Sequence, residues 1–150
     1  MPRSFKNSFL ALLTGLTVLT SQPAQAEEQK QLVTIVTSPN AQTQLMAMVL
    51  TMKAVKQGAA AHILLCGEAG DMALKAPPAS ITAPQKPKGM SPQGLMQMIM
   101  AKTPTKVEVC AIYLPNSGLE PSALLDGITA ANPDTMAARL LVEDVRIMSF

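Results

Sequence analysis

Gln31-Leu-Val-Thr-Ile-Val-Thr37, the stretch from Ala41 to Gly58, and Ala61-His-Ile-Leu-Leu-Cys66 together decide the fold. The first is a β-branched apolar run of strand length, which reads as a buried strand. Ser38-Pro39-Asn40 breaks it. From Ala41 the apolar residues Leu45, Met48, Val49, Met52 and Val55 recur at spacings of three and four. That is helical periodicity, and Gly58 supplies a left-handed stop. Ala61 to Cys66 is a second short apolar strand, ended by Gly67-Glu68-Ala69-Gly70. A strand, a helix and a strand joined in this way imply parallel pairing through a right-handed crossover.

Working outward toward the C-terminus, Pro77, Pro78, Pro84 and Pro87 with Lys86, Lys88 and Gly89 make residues 76–89 a composition that supports neither helix nor strand. An exposed excursion is expected there. Ser91-Pro92 provides a side-chain cap and a first-turn proline for a helix reaching about Lys102, which Thr103-Pro104 terminates. Lys106-Val-Glu-Val-Cys110 is a third strand; Ala111-Ile-Tyr-Leu114 either prolongs it or begins a helical turn before Pro115. Glu120 to Leu125 reads as a short helix closed by Gly127, and Ile128 to Ala131 as a small strand. Asn132-Pro133 caps a last helix through Leu141, and Asp144 to Phe150 closes the chain as a strand. The alternation predicts a three-layer α/β/α fold with a mostly parallel sheet of about five strands. In such sheets, sites lie outside the carboxyl ends of the strands.

Toward the N-terminus, Arg3 and Lys6 precede an uncharged apolar run from Phe9 to Leu19, then Ala24-Gln25-Ala26 before Glu27 and Glu28. This is the three-part pattern of a secretory signal over residues 1–26, leaving one domain over 27–150. The apolar core of roughly eleven residues is shorter than the roughly twenty needed to span a bilayer, so no membrane attachment is expected after cleavage. An exported, periplasmic bacterial location follows. No Cys follows the apolar run, so the lipoprotein variant is absent. Without Arg3 and Lys6 the basic residues fall from 12 to equal the 10 acidic ones. A neutral domain with one Tyr, three Phe and no Trp lacks the basic surface and stacking aromatics of a nucleic-acid binder.

Cys66 and Cys110 both fall at the carboxyl ends of expected parallel strands. If the chain turns helical at Ala111, Cys110 sits at a helix N-terminus, where unsatisfied amides favour a thiolate. The bland alternative for Cys66 is a small buried hydrophobe. Two cysteines in an exported protein also raise a disulfide, and closing a loop of this length would stabilise by about 4 kcal/mol in the chain-entropy model. Side chains at strand edges often point the wrong way for one, so both states stay open.

Met46, Met48 and Met52 on the first helix and Met96, Met98 and Met100 on the next raise soft-metal binding. Met96 and Met100 share a helix face while Met98 points away, so flexible core filling is the better account, and no metal ligand is assigned. His62 is the only histidine, with no carboxylate beside it in sequence, and reads as a packed or rim imidazole. In a straight strand His62 and Cys66 share a face but stand about 13 Å apart, too far for one to activate the other. Gly67-Glu68-Ala69-Gly70 lacks the pattern of a phosphate loop or a dinucleotide fingerprint, so no cofactor is implied.

At Val107-Glu108-Val109-Cys110, followed by Gly118-Leu119, Leu124-Leu125 and Gly127-Ile128, the chain resembles the DsrE/DsrF-like sulfur-relay family. In that family such a strand delivers a cysteine, a short helix follows, and a Gly-Ile or Gly-Val pair enters the next strand. The resemblance extends over nearly all of residues 27–150. It implies a flavodoxin-like DsrE-type fold, a homo-oligomer, and a sulfur carrier that holds a persulfide on Cys110 alone and exchanges it with a donor or acceptor protein; Cys66 is a possible second thiol by its place at the same edge. The export signal and the Pro-rich excursion over 76–89 depart from the family pattern. The rival readings are a non-enzymatic binding or assembly module on the same fold, and soft-metal (copper) binding through Met and Cys.

The export pattern makes a direct prediction: N-terminal sequencing of the secreted protein finds Glu27 as the first residue, and recovery of Met1 or Pro2 would refute it.

Overall fold

The computed structural model describes Met1 and residues 29–150, so the expected export signal lies, apart from its first residue, outside the described part. β1 (Gln31–Val36), β2 (Ala60–Leu65), β3 (Lys106–Val109), β4 (Thr129–Ala130) and β5 (Val145–Ser149) form one sheet in the order β4-β3-β2-β1-β5. Every pairing is parallel. Each strand therefore ends at the same edge. The helices between strands are α1 (Ala41–Lys56), α2 (Ala79–Thr82), α3 (Pro92–Lys102), α4 (Tyr113–Ser117) and α5 (Pro133–Leu140), with 3-10 turns at Gly67–Ala73 and Pro121–Ala123.

The caps form where short polar residues precede the helices. The side chain of Asn40 accepts from Thr43 N at 3.1 Å, that of Ser91 from Gly94 N at 3.1 Å, and that of Asn132 from Thr135 N at 3.0 Å. Each satisfies an amide that the helix itself leaves unpaired.

Strand alternation sorts the side chains into two layers. Val36, Ile63, Leu65, Val107 and Val109 join Met48 of α1 and Leu95, Met96 and Ile99 of α3 in the larger core. The opposite layer is thinner: Leu64, Ala131 and Met136 are its buried members, with Ile35, Cys66, Cys110 and Leu140 packed against them. Helices thus cover both faces, but unequally. Met48 and Met96 are fully buried, and Met52, Met98 and Met100 pack against the larger core, while Met46 is exposed. The thioethers of Met48, Met52, Met96, Met98 and Met100 serve the first layer, whereas the cysteines lie in the second with Met136.

Two polar contacts hold the larger layer in register. Thr51 donates to Ala47 O at 2.8 Å and accepts from Thr34 at 2.7 Å, which ties α1 to β1 inside the core. Gln93, buried at the start of α3, donates to Leu74 O at 2.7 Å and Met72 O at 3.1 Å. These carbonyls belong to the first 3-10 turn and its exit, so one side chain fastens that segment to α3.

The structure refines the sequence reading at several places. Residues 76–89 are mostly exposed but contain α2, whose Ile81 is buried against the core, because one apolar residue among the prolines is enough to anchor a single turn. Gly67 to Gly70, which end β2 as expected, begin a 3-10 turn that runs to Ala73. The expected helix over 120–125 is a 3-10 turn over Pro121–Ala123. Residues 111–114 turn toward α4, but the helix starts only at Tyr113 with Ile112 at its cap, so Cys110 does not sit at a helix N-terminus. Among the described residues, no helix is long and apolar enough to cross a membrane.

Replacing Gln93 with Leu keeps the bulk and removes the donor, leaving two carbonyls unsatisfied. Urea unfolding should show a loss of about 1–3 kcal/mol; an unchanged midpoint would mean that the clamp contributes nothing.

Candidate functional site

The register of β2 and β3 pairs His62 with Lys106, Ile63 with Val107, Leu64 with Glu108 and Leu65 with Val109. One residue further on, Cys66 stands beside Cys110. Their amides continue the ladder: Cys66 N donates to Val36 O at 2.9 Å, and Cys110 N to Leu65 O at 2.8 Å. Both side chains leave the sheet on the thinner face, with Cα atoms 5.0 Å apart, and they are joined as a disulfide. That separation lies within the span a disulfide bridges. Of the two states the sequence left open, the bridged one is seen, because equal parity on neighbouring strands aims both side chains to the same side. Both cysteines are half-buried.

The two segments that leave the disulfide form the walls of a cleft. Gly67, Glu68 and Asp71 line one side, and Ile112, Tyr113, Asn116 and Ser117 the other, around a volume of ≈ 250 Å³. Tyr113 Oη donates to Asp71 Oδ1 at 2.7 Å and so ties the walls together. Burial and the neighbouring Asp71 carboxylate push the Tyr113 phenol well above its ordinary value, so it remains a donor at physiological pH. Gly70 allows this arrangement, because a Cβ there would overlap the Tyr113 ring.

A second polar group lies on the same face, further down the same two strands. His62 is 4% exposed and Glu108 7% exposed. His62 Nε2 stands 2.8 Å from Glu108 Oε2, and Lys106 Nζ 2.7 Å from Glu108 Oε1. His62 Nε2 faces the carboxylate at that distance without an aligned N–H···O hydrogen bond. Burial first, and then the Arg139 charge on α5, hold the His62 pKa below its ordinary 6.5, outweighing the opposing pull of Glu108. For Glu108 burial acts upward, but the hydrogen bond from Lys106 and the nearby charges win and keep it below 4.5. His62 is thus a buried imidazole with a carboxylate partner, which corrects the reading of it as lacking one. Sequence spacing hid the pair, since the partner comes from another strand. The available signal was Glu108 itself, a charged residue in mid-strand with the parity of Cys110.

Neither a protein-family model nor a curated protein matches the chain. Among solved structures, the ychN protein from E. coli superposes with a TM-score of 0.63 at 18% identity, covering 82% of this chain and 100% of that one. The protein of unknown function MTH1491 from Methanobacterium thermoautotrophicum gives 0.56 at 12% identity, with 82% and 100% coverage. These likenesses are to the fold: a parallel five-stranded sheet with flanking helices, of the flavodoxin-like DsrE type.

The buried histidine fixes a pH dependence. Unfolded, His62 binds its proton near 6.5, whereas the folded chain resists it, so its stabilising effect is present above 6.5 and declines as pH falls below that value. Glu108 is stabilising above 4.5, and its effect is lost as pH falls through its lower folded value. Urea midpoints should therefore decrease steadily on acidification from neutrality. His62→Gln should flatten the part of that curve just below pH 6.5; an unaltered slope there would assign the titration elsewhere.

Proposed function

We propose that this is an exported, periplasmic DsrE-like protein that holds sulfur as a persulfide on Cys110 and exchanges it with a partner protein, with Cys66 as the neighbouring thiol. The observation that carries the reading is the position of Cys110: half-exposed at the carboxyl end of β3, beside a cleft and directly opposite a second sulfur. The DsrE-type fold supports it at the level of architecture. Export rests on the N-terminal pattern. Transfer runs by attack of a thiolate on the outer sulfur of the persulfide, which needs an exposed sulfur and no dissociable cofactor. Self-association belongs to the same reading and is supported by the exposed apolar side chains of Leu141, Val142 and Ile147.

The disulfide favours one other reading, a binding or assembly module in which the bridge is a permanent staple. It closes a sequence separation of 44 residues, for which chain entropy predicts about 4 kcal/mol of stabilisation. The two readings differ in whether the sulfurs react.

After mild reduction, Cys66→Ser should take up a single sulfur from a polysulfide donor, and Cys110→Ser none, as read by intact mass. Full uptake by Cys110→Ser would overturn the assignment. Thiols that appear in the native protein only after strong reduction would favour the staple.

A further inference from the structure

β5 is an outer strand of the sheet, and among the described residues its strand partner is β1 alone. Phe150, just past its end, shows which way the backbone faces. Phe150 N donates to Ile35 O at 3.0 Å, and Phe150 O accepts from Thr37 N at 2.8 Å. In a parallel ladder such residues alternate with residues whose amide and carbonyl point the other way. Met148 and Arg146 therefore face β1 as Phe150 does, whereas Val145, Ile147 and Ser149 turn N–H and C=O outward. A row of this kind is a template for another strand.

Proteins usually blunt such an edge with lysine, proline, a bulge or a very short strand. β4, at the opposite edge, is blunted by its length, with only Thr129 and Ala130 in it. β5 runs over Val145-Arg-Ile-Met-Ser149 and contains no proline, glycine or lysine. On the thinner face, where Ile147 pairs with the buried Val33, the Ile147 side chain is 50% exposed. Leu141 and Val142, in the turn that leads into the strand, are 84% and 52% exposed. Unpaired backbone and exposed apolar side chains thus coincide in one short segment.

Charge and backbone parity select the occupant and its register. A second copy of β5 laid parallel and in step would set Arg146 against Arg146, and so would an antiparallel pair centred on Arg146; like charges directly opposite are destabilising. Centring on Met148 leaves Val145 without a partner, and centring on Val145 does the same to Ser149. Centred on Ile147, the antiparallel pair sets Ile147 against Ile147, Val145 against Ser149 and Arg146 against Met148. Every outward residue then meets an outward residue and exchanges both hydrogen bonds with it, while the guanidiniums are staggered. Leu141 and Val142, at the start of one strand, come to lie beside the end of the other. The pairing is isologous and closes at two copies, which covers the edge.

We infer that β5 is the self-association surface of this chain, two copies joining antiparallel about Ile147 into one continuous sheet. The inference rests on the self-association in the proposed function and gives it a surface and a register; the sulfurs take no part in it. Sedimentation of the oxidised protein should show a concentration-dependent dimer. Ile147→Lys should raise its dissociation constant at least several-fold with an unchanged far-UV spectrum, because the Ile147 amide is not used in the ladder to β1. Met148→Glu, which faces Arg146 of the other copy twice over, should dimerise several-fold more tightly than Met148→Gln, and Met148→Lys several-fold more weakly. The Gln variant separates charge from lost packing. A monomer at all concentrations would overturn the inference together with the self-association it rests on. A dimer indifferent to Ile147→Lys would overturn the surface and leave self-association standing. A dimer weakened by Ile147→Lys but equally tight in Met148→Glu and Met148→Lys would overturn the register.

Discussion

The offset of 44 residues between the paired positions of β2 and β3 governs everything at the carboxyl edge of this sheet. It brings together His62 with Lys106, Leu64 with Glu108 and, beyond the last ladder pair, Cys66 with Cys110. A slip of one residue would turn one set of side chains to the opposite layer. The cysteines would then be divided by the sheet, and the His62–Glu108 pair would be broken. The register is held from the larger layer, where Ile63, Leu65, Val107 and Val109 interlock with α1 and α3. The face that holds the disulfide thus depends on packing that takes place on the other side.

That division of labour suits the chemistry. The larger layer is fully buried and contains most of the large core side chains, so it tolerates little movement. The thinner layer is covered by the short helix α5, whose Met136 and Leu140 belong to the same apolar cluster as the two cysteines. Under the proposed carrier function, the larger layer would supply a rigid mounting for the sulfurs and the thinner layer their approach.

The elements were largely legible in the sequence because the signals that define them are local. Ser91 with Pro92 and Asn132 with Pro133 begin helices where side-chain caps predict, and the β-branched run Gln31–Val36 forms β1, beside the middle strand β2. The carboxyl-edge position of both cysteines follows from the same reading. What could not be read is how the edge is assembled. Register is a property of two strands separated by a loop of forty-odd residues, and no local pattern fixes it. The buried His62–Glu108–Lys106 group was hidden for that reason, as was the side-by-side placement of the sulfurs. The start of α4 at Tyr113 was ambiguous because Pro115 is compatible with the first turn of a helix as well as with the end of a strand.

The close approach of Gly70 to the Tyr113 ring carries an evolutionary consequence. The two positions cannot vary independently. Any side chain at 70 must displace the ring, and without the ring Asp71 loses the phenol that joins the two walls of the cleft. Descendants of this sequence should therefore change the pair together, trading a larger residue at 70 for a smaller one at 113, and those that do so will have reshaped the cleft while leaving the sheet beneath untouched.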